Sequence, residues 1–222
     1  MPAPTNRTRV RMTSAERREQ LIDTARALFA SRGFEGTSVE EIVASAMVSK
    51  PVVYEHFGGK EGLYAVVVDR EVQVLHAAIR AALTKPDSSP RRLIELGALA
   101  LLDYIDTEPD GFRILARDSP LGGSGGFASI LNDITARVED LLGFHFSRHG
   151  YDPATAGIYA QALVGLVSMA GQQWMEEREP SKEVVAAHLV NLAWFGMSGI
   201  VRDPVLVTRK DGVPTDAHRP IV

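Results

Sequence analysis

Apolar residues recur along this chain at helical spacing, and no stretch reads as β-rich. Leu21, Ile22, Ala25, Leu28 and Phe29 form one stripe, which predicts a helix from Thr13 or Ser14 to Ser31. Thr13-x-x-Glu16 opens it as a capping box and Gly33 stops it. Val39, Ile42, Val43 and Ala46 form a second, shorter stripe, opened by Ser38-x-x-Glu41 or the overlapping Thr37-x-x-Glu40. Met47-Val48 fills a turn, Ser49 stands as the next N-cap, Pro51 falls in the first turn of the third helix, and Gly58-Gly59 ends it.

The pattern continues to the C-terminal side. Leu63, Val67, Val74, Leu75, Ala78 and Ile79 predict a fourth helix from Lys60 to about Leu83. A loop at Lys85–Pro90 precedes a fifth over about 91–106, and Glu108-Pro109-Asp110 sets off a short one carrying Phe112 and Leu115. A seventh, over about 127–148, ends at Gly150. Asp152-Pro153 starts an eighth that runs to about Arg178, and Ser181 caps a ninth that runs to about Val201. Arg117–Gly126 reads as a glycine-rich flexible segment, and residues 203–222 as a polar, proline-punctuated tail. The expected fold is all-α, with about nine helices.

The second and third helices are too short to be a domain, and a pair of that size commonly exists to place one helix in the DNA major groove. Val53 and Phe57 share the inward face of the third helix, leaving Lys50, Val52 and Glu55 outward with Tyr54 and His56 on the flanks. An outward valine can touch a thymine methyl, and Lys50 can reach guanine O6 and N7 or a phosphate. Periodicity alone favours that reading but also allows a helical hairpin whose surface happens to carry these residues.

Ala15–Tyr64 closely resembles the DNA-binding domain of the TetR family of transcriptional repressors. AERREQLIDTARALFASRGFEGTSVEEI is similar to that family's first helix and the lead into its second. SKPVVYEHFGGKEGLY is similar to its recognition helix and the start of its fourth helix. One position departs: the turn residue that is usually glycine in the family is Met47. The resemblance implies a helix-turn-helix domain over residues 13–59, behind a flexible basic arm at 1–12. It implies a helical ligand-binding and dimerisation domain over 60–202. Ser49, Lys50, Pro51, Val52, Tyr54 and His56 would stand at the groove, with Thr37, Ser38 and Lys60 on phosphates. The implied partners are a palindromic double-stranded operator, a second copy of the chain and a small-molecule effector. A ligand against Leu75, Ile79 or Phe112 would tilt the fourth helix and move the heads apart.

The net charge of −4 changes meaning once divided. Five arginines (Arg7, Arg9, Arg11, Arg17, Arg18) face Glu16 alone within the first eighteen residues, while the chain beyond residue 62 carries the acidic excess. Attraction to phosphates is then local, and the acidic body keeps off the backbone. Arg9 and Arg11 fit a minor-groove arm or an ordinary solvated tail. The absence of Cys excludes disulfides, thiolate catalysis and Cys-based zinc sites. His145-x-x-x-His149 has metal-binding spacing, but it lies at a helix end where cationic His is favoured anyway. No catalytic set can be placed, so the expectation is no enzyme, no metal and no cofactor. The N-terminus lacks a signal-type apolar region, and the run Ala162–Gly171 is too short to span a bilayer, which predicts a cytoplasmic protein away from membranes.

Helices eight and nine are apolar on more than one face, so each must bury more than one. Either they run through the middle of one subunit or they share a surface with a second copy. For the effector, the aromatic and long side chains Leu102, Tyr104, Phe112, Phe127, Phe144, Met169, Gln173 and Trp174 are candidate lining residues. The scarcity of polar residues on these stripes points to an apolar or aromatic ligand.

Overall fold

A computed structural model describes residues 12–86, 88–117, 127–204 and 206. The arm with Arg9 and Arg11, the glycine-rich run after Arg117 and nearly all of the tail lie outside the described residues. Among those described, nine α-helices and one 3-10 turn appear, with no strand. They are α1 (Ser14–Arg32), α2 (Val39–Ala46), α3 (Lys50–Phe57), α4 (Lys60–Leu83), α5 (Pro90–Thr107), α6 (Pro109–Ala116), α7 (Phe127–His149), α8 (Ala156–Glu177) and α9 (Lys182–Ser198). The Asp152-Pro153 start becomes a separate 3-10 turn, Pro153–Thr155, before α8 begins.

Local chemistry sets the boundaries in the N-terminal part. Both bonds of the capping box form at Thr13 and Glu16, and Gly33 closes α1 at φ 77° with its N–H donating to the Phe29 carbonyl. At α2 the box is Ser38 with Glu41, not Thr37 with Glu40. Met47 caps α2 in the left-handed region, at φ 53° and ψ 45°. Ser49 is the N-cap of α3 without a side-chain capping bond, and Gly58 closes that helix at φ 74°.

Two apolar cores share α4. The head core joins Leu21, Ile22, Ala25 and Phe29 of α1 to Ile42 and Ala46 of α2, Val53 of α3, and Leu63, Tyr64 and Val67 at the start of α4. Phe29 and Tyr64 meet edge-on at 5.0 Å, which fixes α1 against α4. Ile114 of α6 also enters this core, so the body reaches into the head. The second core holds Leu75 and Ile79 of α4 with residues of α5 to α9. α5 returns toward the head, where Tyr104 meets Glu71 in the middle of α4. α9 starts beside that end, with Lys182 paired to Asp103 and Asp106 of α5.

A left-handed residue other than glycine costs about 1–2 kcal/mol, and most when β-branched. Met47→Ile should therefore lower unfolding stability by about 1 kcal/mol, while Met47→Gly should not lower it. Paired denaturant titrations measure the difference, and equal stabilities would contradict a left-handed turn at this position.

Candidate DNA-reading surface and ligand cavity

The outward surface of α3 follows from where its anchor sits. Val53 is wholly buried, and Val52 beside it packs half-buried against the head core. At 100° per residue the opposite side then falls on Pro51, Tyr54 and Glu55, all exposed, and Lys50 is exposed at the N-terminal end of the helix. This corrects the expectation for Val52, which stands on a flank with His56, while Tyr54 moves from flank to centre. Tyr54 is half exposed and is the largest side chain on the presented face.

Charge on this face is already partly matched. The Lys50 ammonium donates to Glu40 of α2 at 2.6 Å, across the turn. That bond raises the Lys50 pKa and lowers that of Glu40, so the pair is intact at neutral pH. Lys60 donates to the Phe34 carbonyl at 3.1 Å and lies 4.1 Å above the Phe34 ring. Its charge is held at a fixed place beside the N-terminus of α4. Ser49 is exposed at the N-terminus of α3. Ser38 is taken up by its own capping box, donating to Glu41 at 3.0 Å and accepting from the Glu41 N–H.

Thr37 departs from its expected role. It is 1% exposed, and its hydroxyl donates to the Gly33 carbonyl at 2.8 Å. The side chain stitches the α1–α2 turn and offers nothing to a phosphate. Glu35, Glu40, Glu41 and Glu61 surround the depression shared by Ser38, Tyr54 and Lys60, so the reading surface is cationic only at single points.

Beneath the head lies a polar joint with no counterpart in the short-range sequence pattern. Arg26 of α1 donates through Nε to Glu71 of α4 at 2.7 Å and through Nη2 to Glu108 at 2.6 Å. Tyr104 of α5 donates to the other Glu71 oxygen at 2.7 Å. Glu71 is 4% exposed. Burial, aided by the neighbouring carboxylate, pushes the Tyr104 hydroxyl pKa up, so it stays a donor. Gly111 of α6 lies so close that a Cβ there would stand 1.9 Å from Glu71 Oε2. One signal for Glu71 exists in the sequence: it continues the series Leu63, Val67, Leu75, Ile79 at intervals of four, so α4 turns it toward the core.

The body holds an apolar cavity of about 160 Å³ between α4, α5, α7, α8 and α9. Ile79, Leu83, Leu93, Leu101, Leu131, Ile134, Val138, Leu142, Val164, Val167 and Trp194 are among its walls. Of the eight predicted lining residues only Phe127 takes part. Leu102, Tyr104, Phe112 and Trp174 are buried in the surrounding core, with the Trp174 indole N–H donating to the Pro180 carbonyl at 2.7 Å. Phe144, Met169 and Gln173 face outward, and Gln173 donates to Glu177. The prediction favoured aromatics, whereas α7 lines the space with aliphatic residues at helical spacing. His145 reaches the cavity wall, and its ring stacks on His149 at 6.4 Å. No group of three or more His, Asp and Glu with metal-site geometry appears among the described residues.

Comparison with known proteins fits both halves. Residues 21–67 match the family model described as bacterial regulatory proteins, tetR family, and residues 90–196 match a tetracyclin repressor-like C-terminal domain. The chain is 28% identical over 200 residues to the HTH-type transcriptional activator FasR of Mycolicibacterium smegmatis, covering 90% of this chain and 91% of that one. It is 29% identical over 119 residues to the HTH-type transcriptional repressor NicS of Pseudomonas putida, covering 52% and 54%. The crystal structure of a TetR-like transcriptional regulator from Rhodococcus sp. RHA1 superposes with a TM-score of 0.67 at 25% identity, over 86% of this chain and all of that one.

If Glu40 competes with phosphate for Lys50, Glu40→Gln should tighten binding to DNA of any sequence and steepen its salt dependence. Lys50→Ala should weaken binding and flatten the slope of log K against log salt by about 0.9 for each phosphate no longer neutralised. Anisotropy titrations at several salt concentrations check both, and identical slopes in the two variants would remove Lys50 from the interface.

Proposed function

The chain belongs to the tetR family of bacterial regulatory proteins, and we propose that it acts in the cytoplasm as a ligand-responsive transcriptional repressor. It binds a palindromic operator as a homodimer and is released by a small apolar effector. The observation that carries this reading is one helix, α4, serving two cores. Its first half anchors the DNA-reading head, and Ile79 and Leu83 in its second half wall the ligand cavity. Whatever fills the cavity acts on an element that also positions α3.

Surface apolarity supports the dimer. Pro153–Glu177 is long and apolar enough by composition to cross a membrane, with only 22% of that window buried. Its inward stripe is Ala156, Ala160, Ser168, Gly171 and Trp174, and Gly171 packs directly on Ile105. Its outward stripe is Ile158, Ala162, Gly165 and Met169. On α9, Val184, Ala187, Leu192, Phe195 and Gly196 are likewise exposed. Gly165 and Gly196 face open space, room that a partner helix can occupy. A two-fold pairing through both stripes buries each protomer's surplus in the other and sets two heads at a fixed distance.

The switch runs through α6. Phe127, in the cavity wall, meets Phe112 edge-on at 5.3 Å. One residue away Gly111 rests on Glu71, and two residues on Ile114 enters the head core. Arg117 follows by donating to the Phe29 carbonyl at 3.1 Å. A ligand that displaces Phe127 therefore moves the seat of α1 as well as α4. It shifts the equilibrium only if it binds the released spacing more tightly than the operator-bound one. A second reading, activation at a promoter, draws support from the activator named among the relatives. The position of the footprint relative to the transcription start separates the two.

Phe195→Asp, a surface change in the isolated chain, should yield monomers whose operator affinity falls at least tenfold through loss of the second half-site. Light scattering that shows wild-type monomers at micromolar concentration would defeat the dimer. Operator sequences come from selection on random DNA. A disulfide that locks the heads at operator spacing should make the complex insensitive to effector. Release from the locked dimer would point instead to local unfolding of the head.

A further inference from the structure

Lys60 stands in an unfavourable place for a cation. It is the first residue of α4, where the helix dipole opposes positive charge, and among the described residues no carboxylate pairs with it. The side chain reaches instead to the turn between α1 and α2. There its Nζ donates to the Phe34 carbonyl at 3.1 Å and lies 4.1 Å from the centre of the Phe34 ring. A carbonyl oxygen and the face of an aromatic ring both carry negative potential, so each offsets the charge.

The turn that Lys60 grips leads straight into α2. The Phe34 carbonyl also accepts the Thr37 N–H at 3.3 Å, and Ser38, the next residue, caps α2. The Phe34 ring packs on Tyr64 at 4.8 Å, one turn beyond Lys60 on α4. Two successive turns of α4 thus hold one ring and, through its backbone, the start of α2. On the other side Lys60 adjoins α3. Gly59, the residue before it, lies against Tyr54, whose ring a Cβ at 59 would approach to 3.6 Å. Lys60 therefore joins the entry of α2 to the exit of α3.

A phosphate is the partner that the family resemblance implies for this lysine. The depression that Lys60 lines also carries Glu35, Glu40, Glu41 and Glu61. Glu40 is matched by Lys50 and Glu41 by Arg32, which leaves Glu35 and Glu61 without a cation among the described residues. An incoming phosphate meets repulsion there, whereas the ring and carbonyl of Phe34 already occupy the ammonium.

We propose that Lys60 is a positioning residue for DNA reading and does not neutralise a phosphate. Acting through Phe34, it holds the α1–α2 turn, and with it α2, at the angle to α3 that sequence discrimination requires. The proposal rests on reading α2 and α3 as the DNA-reading pair.

Hydrogen exchange and DNA binding, both on the full chain, test it together. Lys60→Met keeps an unbranched stem and removes the charge, while Phe34→Leu removes the ring and leaves the charge in place. Without DNA, both should speed amide exchange over residues 35–41 by about fivefold, the size of one cation–π contact, and leave α7 unchanged. With DNA, the ratio of affinities for a duplex selected from random sequence and for an unselected one should fall about fivefold in either variant. The double variant should do no worse than either single one, and the slope of log K against log salt should keep its wild-type value. Lys60→Arg, whose guanidinium can keep both the ring and the carbonyl, should restore the ratio; if Phe34→Leu misfolds, Lys60→Met against Lys60→Arg carries the comparison. A slope flattened by about 0.9 for each lost phosphate in Lys60→Met, with Phe34→Leu silent, overturns the proposal in favour of a phosphate contact. Lower unfolding stability with an intact ratio overturns it in favour of a plain structural role. A wild-type chain that prefers no sequence would remove α2 and α3 as the reading pair. Exchange alone then decides the clamp: acceleration in Lys60→Met upholds it, and unaltered exchange overturns it.

Discussion

A buried carboxylate stands at the centre of the joint that seats the head on the body. Glu71 lies on the inward stripe of α4, where an unpaired charge would cost several kcal/mol; Arg26 and Tyr104 bond it, and Gly111 packs closely against it. Each comes from a different helix: α1, α5 and α6. The bonds to that carboxylate hold α1 and α5 against α4, and the close approach at Gly111 seats α6 there as well. Removing Arg26 leaves the buried carboxylate uncompensated, a loss on the order of 3–5 kcal/mol. A joint of this kind has discrete arrangements and resists gradual deformation, which suits the proposed switch between two head positions.

Around that joint the body contains more apolar surface than one bundle can bury. Part of the surplus, on α7 and the facing sides of α5, α8 and α9, encloses a cavity in place of a solid core. Another part, on the outer faces of α8 and α9, stays exposed in the single chain at Ile158, Met169, Leu192 and Phe195. Both are costly in an isolated monomer: empty space forfeits packing, and exposed apolar stripes forfeit burial. The proposed binding of a ligand and of a second copy would relieve both. Under that proposal, stability, assembly and response to ligand are linked through the same helices.

The DNA-facing side is economical in charge. Lys50 is tied to Glu40, Lys60 to Phe34, and Arg32 pairs with Glu41. A surface with its cations already partnered would hold DNA weakly by electrostatics alone, so under the proposed function shape and the exposed Pro51 and Tyr54 would carry more of the discrimination. Thr37, buried in the turn, serves that shape by holding the entry to α2 in place.

Local signals in the sequence determined the elements. The capping boxes at Thr13 and Ser38, the glycines at 33 and 58 and the left-handed turn at Met47 act over a few residues, so spacing suffices to read them. The same holds for the inward Val53 and for the surplus apolarity of α8 and α9. Which neighbour a side chain meets is another matter. Val52 rather than Tyr54 packs against the head core because of how the neighbouring helices close on α3, a direction periodicity does not contain. Arg26 reaches Glu71 across 45 residues and Glu108 across 82, and no spacing rule operates at that range. The cavity likewise arises where five helices fail to close on each other. Aromatic residues were the natural sequence guess for its walls, but Leu102, Phe112 and Trp174 pack into solid core because tertiary contacts surround them on every side. Helix ends are decided within one turn of chain; joints, cavities and open faces are decided by the angles at which helices pack, and those belong to the assembled bundle.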